Sequence, residues 1–528
     1  MLITRSACCA ALAILTGGAA ANTVALRGDV ALSNGVPLAR VLVTARAVAA
    51  PLAVTMYSDD RGRFEIRDLP DGVYRVEAQL PGYTTAARDS VPAMGAPLHF
   101  VLSPAGVAWR DASSATLLRL LPDGETKRQF VLDCTGCHQV DQRTISSGER
   151  VKTRAEWQDW IGRMLAFAGA TTSFPIMSPG RDPRRTAEWL VATLGEGAPP
   201  TLRPAPPPLT AAGPGRARIT EFDLPDANDL PHDVAVAADG RVVVTGMSSH
   251  RMYVLDPATA TFTAAEIPVE SANPRAVEID SAGTWWVLLG SPQRLARFTP
   301  ATGAWTTWAL GMYPHSLGRD GTGRVWFNGH FTKNPELLGS VDPATGTVST
   351  VPVPTPPMPD GGSTIPYELR VAPDGAVWVS QLAGNRLVRF TPATGRFTFH
   401  TLPSPHAGPR CFDFDAEGNV WVPEYAANKL ARFDPRSERF KEFEFPLSDA
   451  LPYVVRVDRA RGVVWIATAA ADAVARFDPR SGRFTVFPLP TRGALIRHLD
   501  IDARTGAVWG AYSPAPARAP RIVRIEAP

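Results

Sequence analysis

Cysteine is scarce in this chain, five in 528 residues, and Cys8 and Cys9 fall inside an apolar N-terminal run. The remaining three, Cys134, Cys137 and Cys411, cannot build a disulfide framework. Charge of one sign is also lacking. The net charge is +3, which excludes the basic surface a nucleic-acid partner needs. Long hydrophobic runs are missing too. Residues 7–15 are apolar, well short of the ~20 positions a membrane-spanning helix takes, so no span is expected in the mature chain.

Turn formers, by contrast, abound. There are 50 Pro and 43 Gly beside 45% hydrophobic and 20% charged residues, the balance of a turn-rich β protein rather than a disordered one. The length implies three or more modules. Arg5, the apolar run and Ala19-Ala20-Ala21 before Asn22 read as a secretory signal, residues 1–21, cleaved on export. The expected location is periplasmic or secreted.

One stretch carries chemistry outright: Cys134-Thr135-Gly136-Cys137-His138. C-x-x-C-H is the attachment pattern of c-type haem. Two thiols on one helical turn can each add to a porphyrin vinyl group, and the adjacent imidazole then reaches the iron. Other uses are half a zinc site, a dithiol redox pair or chance. No second Cys/His pair follows nearby, and no βαβ pattern surrounds the motif. Haem c is therefore the expected cofactor, with Cys134 and Cys137 as covalent anchors and His138 as axial ligand.

The surrounding residues, 106–195, read as helices. Residues 125–132 lead into the motif. A second helix starts at Thr153, with Glu156 three positions on as a capping box. Trp157, Trp160, Ile161, Met164, Leu165 and Ala168 then mark one apolar face. A third helix runs from about Pro183 to Leu194 and stops at Gly195. The iron's sixth ligand is expected from Met164, with Met177 in Phe174-Pro175-Ile176-Met177 as the alternative. Either could instead be a core methionine. Three helices around C-x-x-C-H resemble a small class I cytochrome c domain, and Trp157-x-x-x-Ile161-x-x-Met164 resembles a pattern of periplasmic monohaem domains. Residues 196–216 are rich in proline and predict a semi-rigid spacer that holds this domain away from the next.

Residues 22–105 alternate apolar and polar positions in short runs broken by turn signals such as Asp59-Asp60-Arg61-Gly62 and Pro70-Asp71-Gly72. Phe64, Ile66, Tyr74 and Val76 are expected on the inner faces of paired strands. The run from Asp59 to Val76, ending beyond in Pro81-Gly82-Tyr83, resembles carboxypeptidase regulatory-like domains. That implies a transthyretin-like β-sandwich used for stability or docking, without catalytic residues of its own.

From residue 217 to 528 the chain repeats about every 43 positions. A strand begins at a Pro-x pair: Pro231-His232, Pro274-Arg275, Pro314-His315, Pro366-Tyr367, Pro409-Arg410 and Pro452-Tyr453. The seventh copy, Ile496-Arg497, lacks the proline. A second strand carries Val243, Trp286, Trp326, Trp378, Trp421, Trp465 or Trp509. Four strands per repeat predict a seven-bladed propeller. The chain ends on a third strand, and residues 219–225 match a fourth, so the first segment is expected to close the last blade and remove a free edge. The fold class is thus mainly β, with an N-terminal sandwich, a small helical haem domain and a C-terminal propeller.

The residue after each Pro should ring the central channel: His232, Arg275, His315, Tyr367, Arg410, Tyr453 and Arg497. Glu368 and Glu424 add carboxylates. Insertions near His330 and near residues 355–364 fall on the same face. Converging polar, basic and aromatic groups suggest a ligand site; the bland alternative is a solvated rim. Cys411 is expected to be a buried small hydrophobe.

Trp421-Val422-Pro423-Glu424 followed by Asn428-Lys429-Leu430-Ala431-Arg432-Phe433-Asp434-Pro435, with Pro-His starts, resembles virginiamycin B (streptogramin B) lyases over residues 217–528. The resemblance implies Mg²⁺-dependent opening of a cyclic depsipeptide by C–O elimination, with a histidine base and carboxylates at the channel mouth. Pro-His survives at His232 and His315 alone, and the family's Glu at Glu424; Tyr367, Arg410 and Tyr453 replace the histidine in later blades. The leading expectation is an exported haem protein. Its propeller takes a small organic or peptide ligand or a partner, and its haem passes electrons to a periplasmic redox partner. The alternatives are a lyase-like enzyme and a non-catalytic carbohydrate- or protein-binding module.

Overall fold

The computed structural model describes residues 24–106, 112–136, 138–148, 150–197, 213–512 and 519–528. The expected signal and Cys137 lie outside the described residues, as does most of the Pro-rich stretch.

The N-terminal part is two facing sheets. One holds three strands, Arg63–Leu69, Val24–Leu32 and Leu98–Leu102; the other includes Leu52–Tyr57, Leu42–Ala47, Val73–Gln79 and Ala86–Pro92. Alternation holds through Val73–Gln79 and through Arg63–Arg67, breaking at Asp68 before buried Leu69, and Phe64, Ile66, Tyr74 and Val76 are buried in one shared core. They do not sit on paired strands as expected. The turn after Leu69 carries the chain from one sheet to the other, and the two strands face each other across the core.

Among the described residues five helices follow: α1 (Ser114–Leu118), α2 (Glu125–Cys134), α3 (Gln142–Ile145), α4 (Arg154–Ala168) and α5 (Pro183–Leu194). α4 starts with the full capping box at Thr153 and Glu156. α5 has Pro at its first position and ends at Gly195, whose φ of 80° suits glycine. Cys134 is the last residue of α2. The short α1 and α3 carry no periodic signal and are not legible in the sequence. No described helix is long and apolar enough to cross a membrane.

The rest is built of four-stranded, propeller-like blades. Six separate four-stranded sheets run from Pro231–Val236 to Arg483–Pro488, each in sequence order. In three blades the Asp of the first turn accepts the indole N–H six residues on. Trp286 reaches Asp280 at 3.0 Å, Trp326 reaches Asp320 at 2.8 Å and Trp421 reaches Asp415 at 2.9 Å. This bond satisfies the buried tryptophan's only donor. In the last unit Arg218–Asp223 pairs antiparallel with Arg521–Glu526, from Arg218 opposite Glu526 to Asp223 opposite Arg521, as expected for a closing strand.

That closing strand has a second neighbour. Ile219 to Phe222 also pair with Thr55 to Leu52, so the last blade and half of the sandwich form one eight-stranded sheet. Arg46 crosses the seam to Asp223 at 2.9 Å, and Phe222, Leu224 and Trp509 join the sandwich core. The closing blade therefore has no free edge on this side.

Candidate functional site

The first strands of the blades share one irregularity. The register slips between Pro231 and Val234, Pro274 and Ala276, Pro314 and Leu317, Pro366 and Leu369, Pro452 and Val454, and Ile496 and Leu499. A bulge of this kind re-aims the side chains just after it, and these are His232, Arg275, His315, Tyr367, Tyr453 and Arg497. In the fifth blade the departure is larger. The first strand shrinks to Asp413–Phe414, and Cys411 pairs with Val454 of the next blade. Arg410 is displaced with it and becomes wholly buried.

The mouth is not a solvated rim. His232, His315, Tyr367, Tyr453, Arg410 and Arg497 are all buried, and Arg275 is half-buried. Their rings interlock. His315 lies 4.3 Å from His330 and 4.5 Å from Tyr367 between centroids. The Tyr367 and Tyr453 hydroxyls hydrogen-bond each other. The Arg410 guanidinium sits over the rings of Tyr425, Tyr453 and Tyr367 at 4.0, 4.4 and 4.6 Å. Arg275 donates to the Tyr313 hydroxyl. Burial and the nearby guanidinium groups hold His232 and His315 neutral, well below the usual imidazole range. His330 is pushed down to about 3, mainly by burial.

Below the ring the carboxylates gather. Asp233, Glu278 and Glu368 line a small hollow of about 20 Å³ with His232, His315, Cys411 and His498, room for about one water. Glu368 is paired with Arg370 at 3.1 Å and Arg456 at 3.6 Å. Burial pushes Glu278 up to about 7. The Cys411 thiol is buried and pushed well up by desolvation, which suits a small apolar residue and not a nucleophile. Glu424 stands apart from the ring. Its carboxyl, raised to about 8 by burial and then by Glu442, belongs with Glu442, Lys429 and Ser404. As the last residue of Val420–Glu424 it lies beyond the bulge that re-aims the ring residues.

Among the described residues no three His, Cys, Asp or Glu converge as metal ligands, and the mouth is lined by Arg275, Arg410 and Arg497. Guanidinium groups repel a divalent cation, so these residues do not suit Mg²⁺.

The helical segment lies across this mouth. Lys127 of α2 pairs with Asp449 at 2.7 Å. Ala115 donates its N–H to Ala470 at 2.8 Å, and Lys333 reaches the carbonyl of Ala170 at 2.7 Å. Phe174 packs on Phe331 at 5.3 Å. Tyr425 donates its hydroxyl to the Thr135 carbonyl at 2.9 Å and lies 2.9 Å from the Thr135 hydroxyl. A Cβ at Gly408 would come within 2.6 Å of Leu132, so glycine there permits the close approach of α2. The expectation of a segment held at a distance by a spacer is thus corrected: apolar and charged contacts of α2 with the blades outweigh the stiffness of a proline-rich connection.

Inside the helical segment is a cavity of about 180 Å³ with an almost wholly apolar wall. Cys134, His138, Met164 and Met177 all line it, with Trp157, Trp160, Ile161, Phe130 and Leu190. Asp133 and Thr144 are polar exceptions; Asp133 is held by Arg181 at 2.5 Å and by Ser178 at 3.0 Å. Trp157 Nε1 is buried with no acceptor. Burial pushes the Cys134 thiol up to about 12. Met177 is buried and Met164 half-buried. A thiol, an imidazole, two thioethers and an orphaned indole donor thus border one largely apolar cavity, and these side chains could hold an apolar group that carries a metal or acidic substituents.

Sequence reasoning brings His330 to this face, but it does not place Tyr425, Tyr313, Phe331 and Phe174 at the mouth. The nearest signal is position: Tyr425 directly follows Glu424, and Tyr313 directly precedes a Pro-His pair.

The Virginiamycin B lyase family matches residues 357–526, and the carboxypeptidase regulatory-like domain matches residues 25–102. No curated protein matches the chain. Among solved structures, a streptogramin B lyase is 20% identical, with a TM-score of 0.52, covering 59% of this chain and 98% of that one. Virginiamycin B lyase from Staphylococcus aureus is 19% identical, with a TM-score of 0.51, over 59% and 99%. A catalytically inactive form of the S. aureus enzyme with quinupristin is 20% identical, with a TM-score of 0.52, over 59% and 99%. The C-terminal part of this chain thus has the lyase-like β-propeller fold, preceded by a regulatory-like β-domain and a small helical segment.

Proposed function

We propose that this chain is an exported c-type haem protein in which the helical segment, within residues 106–195, carries the haem and the propeller binds an organic ligand or partner. Cys134 and Cys137 would be the thioether anchors, His138 the proximal ligand, and Met164 the sixth ligand, with Met177 as its alternative. The observation that carries this reading is the apolar cavity bordered at once by Cys134, His138 and both methionines. When bound, the haem supplies one-electron transfer. The protein's own residues do the rest. Phe130, Trp157, Trp160 and Leu190 exclude water, the Trp157 indole offers a donor to an acidic substituent, and the Asp133–Arg181 pair ties α2 to the chain ahead of α5. The signal, residues 1–21, would deliver the chain to the periplasm, where haem attachment takes place and a redox partner would accept the electron.

The test is covalent. Protein made with a haem-attachment system should, after denaturation, keep its red colour and the added mass of one haem. Cys134→Ala with Cys137→Ala should lose both. A colourless chain of unmodified mass overturns the reading. Met164→Ala and Met177→Ala, read by the iron–sulfur charge-transfer band, choose the sixth ligand.

A second reading is favoured by the family match over residues 357–526: a lyase-like elimination in the propeller. His315 is buried and neutral, and its Nε2 has no partner, so it could accept a proton. The mouth's three guanidinium groups oppose the Mg²⁺ that the resemblance implies. Ring opening of a streptogramin B substrate, lost in His315→Ala, would establish this reading; no turnover removes it.

A further inference from the structure

Among the described residues, Arg410 is a buried cation with no hydrogen-bond acceptor. It is 0% exposed. None of its three guanidinium nitrogens has a hydrogen-bond acceptor, and no carboxylate pairs with it among the described residues. A buried cation persists only where its surroundings offset the lost hydration. The rings of Tyr367, Tyr425 and Tyr453 do part of this, since an aromatic face attracts a cation. Tyr367 and Tyr425 are not anionic partners, because burial raises both phenols.

The guanidinium also faces the helical segment. A Cβ on Gly136 would meet Arg410 Nη2 at 3.3 Å, and Gly136 is the middle residue of Cys134-Thr135-Gly136-Cys137-His138. Tyr425, which stacks on Arg410, is the residue that donates to Thr135 in the same pentapeptide. One cation is therefore clamped between the propeller axis and the C-x-x-C-H loop.

We propose that Arg410 is a positioning residue that the propeller contributes to the haem site, where it holds a permanent positive charge against the attachment loop and raises the reduction potential of the iron. The inference rests on the haem reading above. Reduction adds one negative charge to the haem, and a fixed cation nearby favours the reduced form. Burial weakens screening of that interaction by water and salt. A guanidinium does not titrate in the working range, so the effect should not vary with pH. His232, His315 and His330 face the same space but are held neutral. Arg275 stands on the same ring, engaged with Tyr313 and His232, and supplies a comparison.

The experiment is spectroelectrochemical titration of the full-length holoprotein, with covalent haem content measured first. Arg410→Met removes the charge and keeps most of the bulk; its midpoint should lie below the wild-type value by an offset that stays constant from pH 6 to 9. Arg410→Lys keeps the charge and should restore most of the wild-type midpoint. Gly136→Ala approaches from the other side: its Cβ would lie 3.3 Å from Arg410 Nη2 and push the guanidinium back by a few tenths of an ångström, so the midpoint should fall slightly even if Arg410→Met does not fold. A haem-bearing Arg410→Met protein with an unchanged midpoint overturns the proposal, as does a Lys variant that falls as far as Met. A chain without covalent haem overturns this inference together with the reading beneath it, whereas an indifferent midpoint overturns this one alone.

Discussion

Tyr425 donates its phenolic proton to the main-chain carbonyl of Thr135 at 2.9 Å, joining the fifth blade to a residue 290 positions earlier. Both residues are buried. The bond lies where the loop after α2 meets the propeller axis, and it makes the two parts one packed unit at that point. Tyr425→Phe keeps the ring over Arg410 and removes only the hydroxyl. The expected cost is about 1 kcal/mol. Hydrogen exchange should rise in the last turn of α2 while the blade strands stay protected. Unchanged exchange in α2 would mean that the contact does not hold the segment in place.

The capping box of α4 gives a second prediction. Thr153 accepts from the Glu156 N–H at 3.3 Å and donates its own N–H to the Glu156 carboxylate at 2.8 Å. Arg150 completes the arrangement with two bonds to the same carboxylate, at 2.8 and 2.9 Å. Thr153→Ala should destabilise the helical segment by about 1 kcal/mol. Circular dichroism melts should show an earlier loss of helix with the β signal unmoved.

These two sites differ in how far the sequence reveals them. Thr153 and Glu156 are three residues apart, and one local rule finds them. Pro183 and Gly195 mark α5 in the same way, and Ile496 stands where six earlier repeats have their first strand. The ring of His232, Arg275, His315, Tyr367 and Tyr453 is legible because each follows a repeated Pro. Tyr425 and Thr135 share no local pattern, and neither do Thr55 and Ile219, paired across the seam between sandwich and blade. A strand edge seeks a partner through backbone groups that every residue carries, so side chains do not name it. The proline-rich stretch pointed the wrong way, since stiffness constrains a connection without deciding whether its ends pack together.

The buried histidines set a pH dependence. His330 and His498 are pushed down to about 3, chiefly by burial, and His232 and His315 also lie well below their ordinary value of 6.5. Between pH 6.5 and 3 the unfolded chain binds protons that the folded chain refuses. Stability therefore falls as pH falls through that window, by up to about 1.4 kcal/mol per pH unit for each histidine. Glu278, raised to about 7 from 4.5, acts in the opposite sense: the folded chain keeps its proton, so its contribution to stability falls as pH rises from 4.5 to 7. Glu424, raised to about 8 by burial and by Glu442, acts with Glu278, and burial raises Asp233, Glu336 and Asp500 as well. The histidine contribution is therefore read in a variant: the slope of denaturant-measured stability between pH 4 and 6.5 should be less positive in His330→Gln than in the wild type. An unchanged slope would show that the His330 imidazole is charged or hydrated in the folded chain.

The shared eight-stranded sheet makes a last prediction. Residues 219–222 pair with the Arg521–Glu526 strand on one side and with Leu52–Tyr57 on the other. Phe222, Leu224 and Trp509 are buried against Val54 and the rest of the sandwich core. A chain beginning at Gly215 would keep all four strands of every blade and would expose both the outer edge of the closing strand with its apolar neighbours and the mouth that the helical segment covers, and an edge variant separates the two. Such an edge recruits another strand. The truncated chain should self-associate on size-exclusion chromatography. Thr220→Lys, which places a charge on that edge, should reduce the association. If the truncated chain stays monomeric with an unchanged melting temperature, the sandwich is a passenger on the propeller and not part of its closure.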